Sequence, residues 1–207
     1  DVSNLFYEGR PQNGIYAVQS LGIDPSTGEE LFLSRDGKVT DTWKASDKVY
    51  QGSSDPSYRG IANTMLQWKG LTLNLSFSYY WGGKRYNSTL LNRVEVSRDE
   101  IRARNVDERV LTARWTKPGD IVFFKKISDI ATRASSRFVM DDNVLELQSV
   151  SLEYKWQNPW LKKYARIQTL TFGLNMSDLW HTGSIKMERG TSYPYARSLQ
   201  GSLKFLF

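Results

Sequence analysis

Residues Leu71 to Trp81 alternate with a strict period of two. Leu71, Leu73, Leu75, Phe77, Tyr79 and Trp81 are apolar or aromatic, while Thr72, Asn74, Ser76 and Ser78 between them are small and polar. Successive side chains of a β-strand point to opposite faces, so this run makes a strand with one apolar and one polar face. Its length matches the roughly 9–11 residues with which a tilted strand crosses a bilayer.

The pattern recurs. Leu170, Phe172, Leu174 and Met176 alternate with Thr169, Thr171, Gly173 and Asn175; Val150, Leu152, Tyr154 and Trp156 alternate with Ser151, Glu153 and Lys155. At the end of the chain, Leu199, Leu203, Phe205 and Phe207 alternate with Gln200, Ser202 and Lys204, and only Leu206 breaks the order. Gly60 to Trp68 is a weaker fifth segment. Ile15 to Leu21 and Glu30 to Leu33 read as two further strands of poor alternation. The fold class expected is all-β: antiparallel transmembrane barrel strands with long external loops. The polar row Thr72, Asn74, Ser76, Ser78, Thr169, Thr171, Asn175, Gln200 and Ser202 would face inward, toward a wet lumen or a plug.

Composition agrees with this. The mean hydropathy of −0.51 suits a barrel, because only every second strand residue meets lipid. The 7 Trp and 11 Tyr favour interfaces where one end of a side chain is apolar and the other wet. Trp68, Tyr79, Trp81, Tyr154 and Trp156 lie at strand ends and are expected to form an interfacial aromatic girdle, with sugar stacking as the alternative. No run of about 18 apolar residues marks a transmembrane helix, and no signal peptide opens the sequence. The formal charge of +6 is spread along the chain, so a nucleic-acid surface is not expected.

Connection lengths set a direction. Lys69-Gly70 is a tight turn and Gln157 to Ile167 a short link with a helical-looking Trp160 to Ala165; Gly82 to Asn143 and Asp178 to Arg197 are long. Bacterial barrels have short periplasmic turns and long external loops, which puts the C-terminus on the periplasmic side. Within the first long loop, Asp99 to Ala113 should be helical, with Ser97 and Glu100 forming a capping box. Lys117-Pro118-Gly119-Asp120 should turn.

Chemistry-bearing constellations are few. His181 is the sole histidine and reads as a solvated loop residue; with no cysteine beside it, neither zinc nor a catalytic triad is expected. Asp141-Asp142-Asn143 reads as a polar turn, since the other positions of a calcium loop are missing. Asp24-Pro25-Ser26-Thr27-Gly28 is also a turn. Neither a catalytic residue nor a cofactor is expected. Trp180, Tyr193 and Tyr195, in the second external loop, are candidates for ligand or partner contact.

Taken in order, several segments resemble the SusC/RagA-type TonB-dependent outer-membrane transporters. They are Tyr7-Glu8-Gly9-Arg10, Ile15-Tyr16-Ala17-Val18, Ser20 to Pro25 with Thr27-Gly28, Tyr58-Arg59-Gly60, Phe77-Ser78-Tyr79 with Gly82-Gly83, and Tyr86-Asn87-Ser88-Thr89. Arg114-Trp115-Thr116-Lys117-Pro118-Gly119-Asp120, Ser135-Ser136-Arg137-Phe138-Val139, Leu145 to Tyr154 and Leu174 to Leu179 follow. The resemblance implies that residues 1–207 form the C-terminal part of a 22-stranded plugged barrel, the plug and N-terminal domains lying outside this sequence. It implies import of an oligosaccharide or peptide with a SusD-like surface lipoprotein, energised through TonB, in the outer membrane of a Gram-negative cell. It adds Arg114 and Trp115 as loop contact candidates, and Phe205 and Phe207 as the signal read by the barrel-insertion machinery. Glu146 and Glu153 depart from the neutral or basic strand residues expected there. A small autonomous barrel, acting as an adhesin or porin, and a soluble β-rich carbohydrate-binding module are the competing readings. Too few strands are found for the first; the second needs another sheet to cover the apolar faces.

Overall fold

The computed structural model describes residues 7–186 and 197–207. They contain nine strands, three short α-helices and a few tighter or wider turns, arranged in two compact units. One unit comprises residues 1–56 and 83–142, the other 57–82 and 143–207. No helix among the described residues is long and apolar enough to cross a membrane.

The second unit holds the five-stranded sheet. Its strands are β5 (Tyr58–Trp68), β6 (Leu71–Tyr86), β7 (Val139–Trp156), β8 (Thr169–Gly183) and β9 (Ser198–Leu206), in the order β5-β6-β7-β8-β9. The far parts of β6 and β7 run on into the first unit. All five segments read from period-two alternation are strands. β6, β7 and β8 are longer than expected because their ends lose the alternation before they lose their pairing.

The register carries the alternation across strands. Trp68, Leu66, Ala62 and Tyr58 stand opposite Leu71, Leu73, Phe77 and Trp81. Trp156 stands opposite Leu170, itself opposite Phe205; Tyr154, Phe172 and Leu203 form the next row, and Val150, Met176 and Leu199 another. Ser151, Asn175 and Gln200 make a matching polar row. The Lys69-Gly70 turn has positive φ at both residues, 45° and 88°, the two-residue hairpin geometry that suits strand twist.

The first unit holds a four-stranded sheet of order β3-β2-β1-β4, from β1 (Gly14–Ile23), β2 (Glu30–Leu33), β3 (Val39–Thr40) and β4 (Lys48–Ser53). Ile15 to Leu21 and Glu30 to Leu33 are strands as expected, and they belong to this sheet and not to the five-stranded one. Residues 14–18 are all buried. Ile15 and Ala17 pack with Tyr86, Ala134 and Val139, while the Tyr16 ring lies against Tyr50. Both faces of β1 are covered, so its sequence had no polar face to alternate with.

Helices α1 (Ser88–Arg93), α2 (Arg98–Ala103) and α3 (Arg109–Thr112) follow in the same unit. The expected helix Asp99 to Ala113 is thus two short helices. The Ser97–Glu100 capping box forms as read, with both reciprocal hydrogen bonds. Asn87 caps α1 by accepting from the Leu90 amide. A second core gathers Leu90, Val94, Phe124 and Phe138.

Candidate functional site

Two regions carry the features a function would use: the apolar face of the five-stranded sheet, and the polar centre that shapes the first unit.

The sheet face is large and uncovered. Trp68 is 69% exposed, Leu199 70% and Phe205 53%, with Tyr58, Trp81, Tyr154, Trp156, Phe172 and Leu203 also exposed. An apolar surface of this extent on a soluble monomer is rare. Aromatics mark both ends: Trp68, Tyr154, Trp156 and Phe205 at the hairpin end, Tyr58, Tyr79 and Trp81 at the other. Between Trp68 and Tyr58 the strand climbs about 33 Å. At barrel tilts that is roughly 25 Å of height, the apolar band of an outer-membrane barrel. Among the described residues, the outer edges of β5 and β9 have no partner strand. Unpaired backbone groups in hydrocarbon cost several kcal/mol each, so an inserted sheet must be continued on both sides.

Trp180 and His181 require correction. Both lie in β8, not in a loop: Trp180 stands opposite Leu147 and His181 opposite Glu146. A bulge at Asp178, whose φ is 56°, shifts the register and carries the strand beyond the alternating segment. His181 is mostly buried, its Nδ1 2.9 Å from Glu146 Oε1. Its Nε2 has no hydrogen-bond partner. The same carboxylate accepts from Ser78 Oγ at 3.3 Å, which places Glu146 on the face that carries Ser78. Glu153, the other departure, pairs with Lys204 at 3.4 Å. Both acids are thus met across strands. Tyr193 and Tyr195 lie outside the described residues.

Asp141, Asp142 and Asn143 are strand residues of β7, again not a turn. Asp141 pairs with Lys84 at 2.6 Å and Asp142 with Arg85 at 2.7 Å. The Asn143 side chain accepts from the Gly82 amide at 2.8 Å.

In the first unit, the polar centre is built around Arg137. Its guanidinium meets two carboxylates: Glu30 at 2.8 Å from Nη2 and Glu95 at 2.6 Å from Nη1. All three side chains are almost wholly buried. Ser135 Oγ donates to Glu30 at 2.6 Å, and the Lys125 amide donates to Glu95 at 3.3 Å. The guanidinium also lies over the Phe138 ring, 4.5 Å from its centroid. Burial opposes its charge, but the hydrogen bonds and fields of Glu95 and Glu30 prevail and raise the Arg137 pKa. The cluster ties β2 to the loop residues on either side of α2 and α3. The segment Ser135 to Val139 belongs to the resemblance, which gives Arg137 no role. Glu30 and Glu95 were missed, since nothing local marks two acids 65 residues apart as partners of one arginine.

Arg114 also departs from expectation. It is 3% exposed. It donates to the carbonyls of Lys125 (2.8 Å), Val96 (2.7 Å) and Lys126 (2.7 Å). Its donors are used inside the loop, so it braces that loop and is not presented to a ligand. Burial pulls its pKa down. Trp115 is half-buried; its indole N–H donates to the Pro25 carbonyl at 3.0 Å, and its ring covers Gly28 too closely for a side chain there.

No family model matches the chain, and no curated protein matches it. Solved structures do. A chain of the RagAB peptide transporter aligns with a TM-score of 0.81 at 19% identity, over 99% of this chain and 24% of that one. The RagAB peptide importer in its "open-open" state gives 0.71 at 20% identity, over 89% of this chain and 22% of that one. Its "closed-closed" state gives 0.67 at 21%, over 81% and 19%. The chain spans about a quarter or less of these neighbours. At this level of identity the likeness establishes the fold alone: the described residues fold as a portion of a RagAB transporter chain does.

Proposed function

We propose that this chain is the C-terminal barrel wall and external loops of an outer-membrane active importer of peptides or oligosaccharides. One observation carries the reading: a bilayer-height apolar sheet face with aromatic belts at both ends and both edges open. Such a sheet suits a lipid-facing wall that is continued by further strands of a larger barrel. The likeness to RagAB peptide transporter chains supports the same role and favours peptides over glycans. The small polar side chains on the opposite face are suited to a wet lumen or a plug.

In this reading a SusD-like lipoprotein caps the external side and delivers substrate to the loops, where Trp115, Tyr193 and Tyr195 are proposed contacts; Trp180, at the far end of β8, is proposed as one at the rim. TonB acts through a plug encoded elsewhere in the protein. The C-terminus, with Phe205 and Phe207, lies at the periplasmic rim and serves as the insertion signal. A small autonomous barrel is disfavoured by the two open edges, and a soluble module by the uncovered apolar face.

The test is uptake. Cells lacking the protein are given fluorescent peptide and oligosaccharide pools. Loss of peptide uptake, reproduced in the parent strain by a protonophore, is expected. Unchanged uptake of both pools would refute the importer reading. Copurification of a surface lipoprotein with the tagged protein tests the partner separately.

A further inference from the structure

The hairpin end of the five-stranded sheet carries a charge pattern that barrel closure and transport leave unexplained. At this end the Lys69-Gly70 turn adjoins the end of β7: the Lys155 amide donates to the Gly70 carbonyl at 2.8 Å. The chain then leaves Trp156 through Asn158, whose side chain accepts from the Trp160 amide at 2.9 Å, into a wide π-type turn at Leu161–Ala165. It re-enters the sheet at Thr169, where the neighbouring Gln168 amide donates to the Leu206 carbonyl at 2.7 Å. The turn is therefore anchored at both ends to the sheet. Leu161 is its buried pin.

Everything else in the turn faces outward. Lys162, Lys163 and Arg166 are exposed, as is Lys69 in the hairpin turn beside it. Among the described residues none of these four cations is in an ion pair, and the only acidic side chain at this end is Glu153, already held by Lys204. The cations are interleaved with exposed aromatics. Trp160 and Tyr164 pack 5.7 Å apart, Lys163 Nζ lies 5.3 Å from the Tyr164 centroid, and Lys69 Nζ lies 5.1 Å from the Trp68 ring. Four like charges at one end of the sheet without counter-charge repel one another, and an opposing surface of negative charge relieves that repulsion. The aromatics, level with the Trp68, Trp156 and Phe205 belt, fix the depth at headgroup height.

We infer that the Gln157–Ile167 turn and the Lys69-Gly70 hairpin form a binding site for anionic phospholipid headgroups. This rests on the membrane reading above and adds a lipid preference to it. Lys162, Lys163 and Arg166 contact headgroup phosphate; Trp160 and Tyr164 seat the turn at headgroup level.

The test uses the intact protein reconstituted in phosphatidylcholine vesicles containing brominated phosphatidylglycerol, with brominated phosphatidylcholine as the comparison. Tryptophan quenching gives the relative binding of the two lipids. Wild type is expected to prefer phosphatidylglycerol by about fivefold or more, the scale set by a single interfacial cation. The preference should fall toward unity in K162Q/K163Q/R166Q and, in wild type, at high salt. Inserted, heat-modifiable wild type with no preference overturns this inference and leaves the membrane reading standing. Wild type that does not insert overturns both. If the variant fails to insert, the salt series decides: a preference that ignores salt overturns the site.

Discussion

Removing Arg137 should be the most damaging single substitution in the first unit. In Arg137→Met the buried carboxylates of Glu30 and Glu95 lose their shared cation. Glu30 keeps the Ser135 hydroxyl and Glu95 the Lys125 amide. Arg114 remains as a nearby positive charge, but its donors already serve backbone carbonyls. Breaking a buried ion pair by deleting one partner costs about 3–5 kcal/mol. Here one arginine serves two acids, which puts the expected loss at the upper part of that range. Because the cluster joins β2 to the 95–137 loop, the loss should appear as local opening of the first unit. About 4 kcal/mol corresponds to a roughly thousandfold rise in the open population. Hydrogen exchange of the detergent-solubilised protein reads this directly at amides of β2, α1 and residues 135–138. The triple variant Glu30→Met, Glu95→Met, Arg137→Met should recover most of the protection, because it removes the uncompensated charges together. Less than a tenfold change in Arg137→Met, or a triple variant no better than the single one, would refute the argument that the carboxylates depend on this arginine.

Deleting Phe205 to Phe207 should abolish stable insertion; normal heat-modifiable gel mobility of the truncated protein would contradict this. Gly70→Ala should destabilise the hairpin by roughly 1–2 kcal/mol through its left-handed φ, and its Cβ would sit 2.8 Å from the Lys155 carbonyl oxygen; a lowered unfolding midpoint in urea checks it. Gly28→Ala should dislodge the Trp115 indole, seen as a shift in tryptophan emission, while leaving the β-sheet circular dichroism unchanged. Asp120 accepts from the Thr116 hydroxyl and the Lys117 and Thr116 amides, which lower its pKa. A carboxyl depressed in the folded state stabilises it above the unfolded pKa, and that contribution is lost as pH falls through the folded value. NMR titration should therefore find Asp120 below 3.8, and Asp120→Asn should remove the corresponding acid-side loosening of the 116–120 turn.

The limits of sequence reading follow from what each element touches. Leu71 to Trp81 was readable because one of its faces is apolar and the other polar along its whole length. β1 was hard to read because residues 14–18 are buried on both sides, which erases alternation. β3 and β4 were missed: Val39–Thr40 is too short for any period, and the Lys48–Ser53 sequence is mixed and only half-buried. Trp180 and His181 were read as loop because the alternation stops at a bulge, though the pairing does not. The resemblance offers Arg114 as a loop contact, whereas its role depends on which carbonyls surround it.

By itself, the sequence determined the five-stranded sheet with its apolar face, the aromatic ends of that face, the tight Lys69-Gly70 turn and the Ser97–Glu100 capping box. Each of these is set by residues within one or two turns or strands of one another, so local periodicity encodes it. Only the tertiary structure decided that residues 14–53 form a separate sheet, that Asp141 and Asp142 are cross-strand ion-pair partners, and that Glu30, Glu95 and Arg137 converge. The ion pairs among them join residues 42 to 107 positions apart in the chain. Burial and charge pairing select them only once the chain has folded back on itself.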